Sequence, residues 1–241
     1  MMAKPIALVT GGAGGLGSAI SRELAVAGFS VGIHYFHGRE AAESLAKELP
    51  DAFVVEGDLA SETGVEAVFE QIKARDGLAV LVNNAGIAID APLFSAKLSD
   101  FDTLIDTNLR SAWYLTKKLL RLMIRKRAGN IINISSVVGS TGNPAQSVYG
   151  MTKAALDNFT KTLAVELASY NILVNSVAPG FIETPMTRAL SPEVQQGILA
   201  RIPLGRMGQP VEVARLVRFL VAEGSYCTGS VFHINGGLYG G

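Results

Sequence analysis

Cysteine occurs once in these 241 residues, at Cys227, so no internal disulfide can form and stability has to come from the core. No histidine or carboxylate stands beside Cys227 in sequence, and it reads as packing rather than as a nucleophile. Histidine is nearly as rare. His34, His37 and His233 are not at ligand spacing from cysteines or carboxylates, so no metal site is expected. Charge is sparse as well: 17% of residues are charged, and 21 basic side chains balance 21 acidic ones. That balance removes the positive field that nucleic acid or an anionic membrane surface would need, and leaves a small molecule as the expected partner. Neither a signal-type leader nor a run of about 18 apolar residues follows Met1, so a cytoplasmic protein is expected.

Apolar residues, by contrast, make up 49% of the chain, enough for one substantial core, and a single domain over 1–241 is expected. Ile6-Ala-Leu-Val-Thr10 is a short apolar run that ends in glycines, and helical spacing follows over 16–27. The alternation continues with strands at 30–34, 52–56, 79–82, 130–135, 172–178 and 230–234. The intervening helices are predicted at 39–48, 61–75, 100–127, 147–169 and 211–222. Repeated βα units, several of them with continuously apolar strands, predict a doubly wound parallel sheet of seven strands, covered by helices on both faces. One long stretch, Pro179 to Pro210, has five prolines and no clear period. It reads as a substrate lid at about 180–210, with an ordinary surface excursion as the alternative.

Two groups of residues suggest chemistry. At the first strand–helix junction stands Thr10-Gly-Gly-Ala-Gly-Gly-Leu-Gly17, where glycines permit close backbone approach and a helix start offers free N–H groups to a pyrophosphate. Further along, Tyr149 and Lys153 are four apart in a helical segment and so share one face. Ser136 lies thirteen residues before Tyr149, just past an apolar strand, and Asn108 lies in the long helical stretch before it. Ser135 competes with Ser136 for any serine role, and Asn108 reads equally as a helix kink or a buried amide.

The spacing Thr10-Gly11, Gly15, Gly17 resembles the Thr-Gly-x3-Gly-x-Gly turn of the short-chain dehydrogenase/reductase family. Asp58-Leu59, Asn83-Asn84-Ala85-Gly86 and Pro179-Gly180 resemble further family marks, in order and at strand ends, where open α/β sheets bind ligands. The resemblance implies a Rossmann-type fold and a nicotinamide cofactor contacted by Thr10, Gly11, Gly15, Leu16, Gly17, Asp58, Leu59, Asn84, Ala85, Gly86, Tyr149, Lys153, Pro179, Gly180, Ile182 and Thr184. It also implies that Asn108, Ser136, Tyr149 and Lys153 form a catalytic tetrad, and its spacing favours Ser136 over Ser135. In that tetrad Tyr149 is the general acid for reduction, Ser136 orients the carbonyl, Lys153 supplies charge and holds the nicotinamide ribose, and Asn108 anchors a proton-relay water. A nearby ammonium is expected to lower the tyrosine pKa from about 10.

The end of the second strand, His34-Tyr-Phe-His-Gly-Arg39, has no acid before Glu40. Arg39 and His37 are placed to meet a 2′-phosphate, which favours NADP(H), although Arg39 also reads as a solvated first-turn residue. Gly14 stands where many NADP-dependent relatives place an arginine. Within the family, Ile134-Ser-Ser-Val-Val-Gly-Ser-Thr-Gly-Asn143, Ala178-Pro-Gly-Phe-Ile-Glu-Thr184 and Asn235-Gly-Gly237 look most like the reductases that act on 3-oxoacyl chains carried by acyl-carrier protein. An acidic carrier would need basic residues at the site mouth. Arg121, Arg125, Lys126 and Arg127 are candidates, unless they merely complement a helix C-terminus. A basic residue that such reductases carry after the catalytic helix is Tyr170 here. Other expectations are an acyl-CoA, a sugar or another small ketone or alcohol as substrate, or a nucleotide-binding regulator without turnover. Apolar residues on several faces of the helices at 100–127 and 147–169 (Leu104, Trp113, Leu115 and Leu119, then Leu156, Phe159 and Leu163) suggest partners, and the resemblance implies a homotetramer.

Overall fold

The computed structural model describes residues 4–188 and 191–240. In chain order the elements are β1 (Ile6–Val9), α1 (Gly15–Val26), β2 (Ser30–Tyr35), α2 (Arg39–Glu48), β3 (Phe53–Glu56), α3 (Glu62–Lys73), β4 (Leu78–Asn83), α4 (Leu98–Ile105) and α5 (Ser111–Lys126). There follow β5 (Gly129–Ile134), α6 (Val138–Thr141), α7 (Ser147–Leu167), β6 (Ile172–Pro179), α8 (Pro185–Arg188), α9 (Pro192–Leu199), α10 (Pro210–Ala222) and β7 (Val231–Ile234). The described strands form one sheet in the order β3-β2-β1-β4-β5-β6-β7, with every pairing parallel.

Strand periodicity divides the core. Ala7 and Val9 face one side, where Ile20 and Leu24 of α1, Leu45 of α2 and Val213 and Val217 of α10 cover the sheet. Ile6 and Leu8 face the other, against Val68 and Ile72 of α3, Leu115 and Leu119 of α5 and Leu163 of α7. Both faces are covered, which explains why several strands, such as β1, read as unbroken apolar runs. Because the strand order reverses between β1 and β4, the connections leaving these two strands diverge and open a crevice at their C-terminal ends.

Two expectations change. The predicted helix over 100–127 is interrupted: Asp106–Arg110 forms a π-helical turn between α4 and α5, a wider coil that turns Asn108 inward. Several of the residues assigned to outside partners are absorbed by the chain itself, with Leu104, Leu115, Leu119, Leu156 and Leu163 all buried. Trp113 stays 47% exposed. The 180–210 segment carries only short helices, α8 and α9, and pairs Ile182 with Gly208, while its residues 189 and 190 lie outside the described ones.

Candidate active site

The crevice begins with Thr10, one residue past β1. Its buried hydroxyl donates to the Val82 carbonyl and accepts from the N–H groups of Asn84 and Ala85, both at 2.9 Å. Asn84 answers with its side-chain amide on the Thr10 carbonyl at 2.8 Å. The ends of β1 and β4 are thus tied together where the crevice opens.

Gly11 has φ +60°, a conformation suited to glycine, and a Cβ at Gly17 would stand 2.1 Å from the Gly11 carbonyl oxygen. These two positions let the turn fold tightly onto the start of α1. That helix begins without a side-chain cap or an acidic residue in its first turn, so the N–H groups of Gly15, Leu16 and Gly17 have no intrahelical acceptor. The result is a backbone cradle suited to a pyrophosphate, and the residues present fit a dinucleotide. Thr184 packs over it: a Cβ on Gly15 would lie 3.3 Å from the Thr184 Cβ. Ile182 is buried beside it, and Gly180 N donates to the Ile234 carbonyl just past Pro179.

His34 is a feature of this cradle that spacing did not signal. Its Nδ1 accepts from Gly11 N at 3.1 Å and its Nε2 meets the Gly57 carbonyl at 2.9 Å, so the ring must be neutral with the proton on Nε2. Burial, which pushes its pKa down, favours that form. Asp58 Oδ1 accepts from Ala60 N, while Leu59 is buried in the core. His37 is exposed at the same edge, its ring against Phe36. Arg39 opens α2, with Nε on the Tyr35 hydroxyl at 2.9 Å and ion pairs of 3.3 Å to Glu43 and Glu56.

The second half of the site is built on α7 and the end of β5. Tyr149 receives a side-chain hydrogen bond from Ser136, which counters the upward push of burial and of the Asp90 charge on the phenol pKa; burial is the largest of the three and the pKa is raised. Ser135 instead donates to the Val177 carbonyl on β6. Lys153 is buried, with Nζ 2.9 Å from the Ile134 carbonyl and 5.5 Å from the Tyr149 ring centroid. Desolvation pulls its pKa down to about 8, against an opposing charge on Asp157. The expected lowering of the tyrosine by the ammonium is therefore not found. Desolvation is the largest effect on each of the two groups.

Asn108, placed by the π-helical turn, accepts from Ile87 N and donates to Ile87 O, both at 2.8 Å, and reaches Thr152 with its other hydrogen at 3.4 Å. It is at once a helix irregularity and a buried amide, and it clamps the loop that follows Asn84. Its donors are engaged, and one lone pair of Oδ1 is left for a water. Gly86 is squeezed between Asn108 and Lys153: a Cβ there would lie 3.2 Å from Oδ1 and 3.5 Å from Nζ. A cavity of about 250 Å³ has Ile89, Ala91, Leu98, Phe101, Leu104 and Val148, the residue before Tyr149, in its walls.

A family model described as enoyl-(acyl carrier protein) reductase matches residues 11–239. A 3-oxoacyl-[acyl-carrier-protein] reductase FabG of Aquifex aeolicus is 48% identical over 241 residues, 97% of each chain. The chain belongs to the short-chain dehydrogenase/reductase family. Enzymes of the same name from Staphylococcus aureus and Escherichia coli are 43% and 44% identical, again over 97% of each chain.

Seen as a family member, the chain places its basic cluster unexpectedly. Arg125, Lys126 and Arg127 end α5 and precede β5, which puts them at the N-terminal edge of the sheet, whereas Ser136 and Tyr149 lie beyond the C-terminal edge. They do not face the mouth of their own site. Lys126 pairs with Asp76, and Arg127 donates to the Ser169 carbonyl and lies over the Tyr170 ring, leaving Arg121 and Arg125 as exposed cations.

Proposed function

We propose that the protein reduces the keto group of a 3-oxoacyl thioester on acyl-carrier protein with NADPH. The observation that carries this reading is the Ser136–Tyr149 hydroxyl pair, held beside Lys153 at the crevice of a chain 43–48% identical to reductases of that name. Bound NADPH supplies the hydride. The cradle of Gly11, Gly15, Leu16 and Gly17 holds the pyrophosphate, and Thr10, Asn84, Ala85, Gly86, Pro179, Gly180, Ile182 and Thr184 border the nicotinamide half. Asp58 and Leu59 border the adenine.

Ser136 donates a hydrogen bond to the keto oxygen and Tyr149 delivers the proton to the developing alkoxide. Burial keeps the phenol protonated, the form that reduction requires. Lys153 holds the nicotinamide ribose, and its charge favours the phenolate left behind. Asn108 fixes the loop after Asn84 and uses its spare lone pair to hold a relay water. The apolar cavity beside Val148 receives the acyl chain, and the segment at 180–210 closes over it as a lid.

For the cofactor choice, Arg39 is decisive. Its partners Glu43 and Glu56 are 45% and 56% exposed, and ion pairs this open to solvent contribute little, so a 2′-phosphate displaces them. His37 stands beside it. Arg39→Ala is expected to raise the KM for NADPH about tenfold or more while leaving that for NADH in place.

The protein is cytoplasmic in this reading; among the described residues no helix is long and apolar enough to cross a membrane. Trp113, Met151 and Val165 are exposed on α5 and α7, and they supply the faces on which four copies assemble. Tyr149→Phe beside wild type, offered acetoacetyl-carrier protein and acetoacetyl-CoA, tests the whole assignment through loss of nicotinamide absorbance. Turnover confined to other ketones would move the substrate class, and NADPH binding without consumption would leave a regulator.

A further inference from the structure

One buried carboxylate has no part in the chemistry so far. Tyr149, Lys153 and Asp157 recur every four residues on one face of α7. Lys153 is 5% exposed and Asp157 only 7%. Asp157 Oδ1 accepts from the Ser176 hydroxyl at 2.6 Å, and the neutral amide of Asn133 and hydroxyl of Thr160 continue the polar seam. No lysine, arginine or histidine of the described residues forms an ion pair with it within 4.0 Å. A buried carboxylate needs compensation, and one hydroxyl is little for a full charge.

We propose that Asp157 is a positioning residue, the buried counter-charge that keeps the Lys153 ammonium protonated and so sets the upper pH limit of the reduction. This rests on the reading of Lys153 given above. What faces Lys153 from the neighbouring elements is neutral: the Ile134 carbonyl of β5 and the Asn108 amide of the π-helical turn. On its own helix stand the Tyr149 ring and Asp157, and Asp90 in the loop after β4 acts on Tyr149. Asp157 is the one charge found to oppose the desolvation of Lys153. At a separation of about 6 Å in an effective dielectric of ~20, a unit charge displaces a titration by about two pH units at most.

The test is Asp157→Asn, which keeps an oxygen for the Ser176 hydroxyl and removes the charge. Two quantities are read: the midpoint of the basic limb of kcat, and the pH dependence of Lys153 acylation by an amine-directed reagent, located by peptide mass. Both midpoints should fall by about one unit or more, whereas Ser176→Ala, which removes a hydrogen bond but no charge, should leave them in place. If Asp157→Asn does not fold, Asp157→Leu with Ser176→Val removes the pair as a unit and should give the same shift. Unmoved midpoints in a folded variant, or an equal shift in Ser176→Ala, overturn the proposal. Failure of the underlying reading looks different: Lys153→Met would then turn over normally.

Discussion

Lys153 makes the stability of this fold depend on pH in a way that one substitution isolates. Its pKa is about 8 in the folded chain against an ordinary 10.5. Between those values the unfolded chain binds the proton and the folded chain does not, so stability rises with pH across that window. Below pH 8 both forms are protonated and the full cost of burying the charge is present. From the two pKa values, the handicap is about 3 kcal/mol at pH 7 and falls below about 1 kcal/mol at pH 10. Lys153→Met has no such titration. The unfolding free energy of wild type minus that of Lys153→Met should therefore rise by about 2.5 kcal/mol from pH 7 to pH 10. The slope, not the offset at one pH, is the test, because methionine also leaves Asp157 with Ser176 alone. Urea unfolding followed by circular dichroism at fixed protein concentration measures it. Parallel curves would refute the claim that burial has drawn the ammonium down, and a difference that shrinks with pH would reverse its sign.

Other outcomes follow from the same geometry. Tyr149→Phe should lower kcat by about 10² to 10⁴-fold while fluorescence titration shows NADPH affinity little changed, since only the proton donor is lost. Gly17→Ala should abolish NADPH binding, because its methyl group would stand 2.1 Å from the Gly11 carbonyl and force the cradle open; wild-type affinity by calorimetry would count against that account. Asn108→Asp replaces the donor to the Ile87 carbonyl with an acceptor, and should cost about 1–3 kcal/mol in urea unfolding along with most of the activity.

Much of this was legible in the sequence because doubly wound sheets announce themselves by alternation. The run at Ile6–Val9 is apolar throughout and that at Ile172–Pro179 is apolar but for Asn175 and Ser176, since both faces are covered, and glycines at Gly11 and Gly17 mark a turn whose closeness admits no other residue. The π-helical turn was hidden, because one extra residue per turn barely disturbs an apolar period that continues on both sides. Asp157 and His34 were silent for another reason: a lone polar residue in an apolar segment declares neither its burial nor its partner until the fold brings Ser176 or Gly11 to it. The basic cluster at Arg125–Arg127 was misjudged by its nearness in sequence to the catalytic strand. In a parallel sheet the residues that precede a strand and those that follow it lie at opposite edges.

The π-helical turn at Asp106–Arg110 also uncouples two helices that the chain joins without a loop. A regular helix would fix the angular setting of α4 from that of α5, so that any change in the wall of the cavity beside Val148 would be transmitted to the residues seated on the sheet. With the wider turn between them, α4 keeps Leu98 and Phe101 at the cavity while α5 keeps Leu115, Leu119 and Met123 in the core. Substitutions along α4 can then reshape what the pocket accepts without disturbing the packing below, whereas deletion of a single residue at the joint would move both at once.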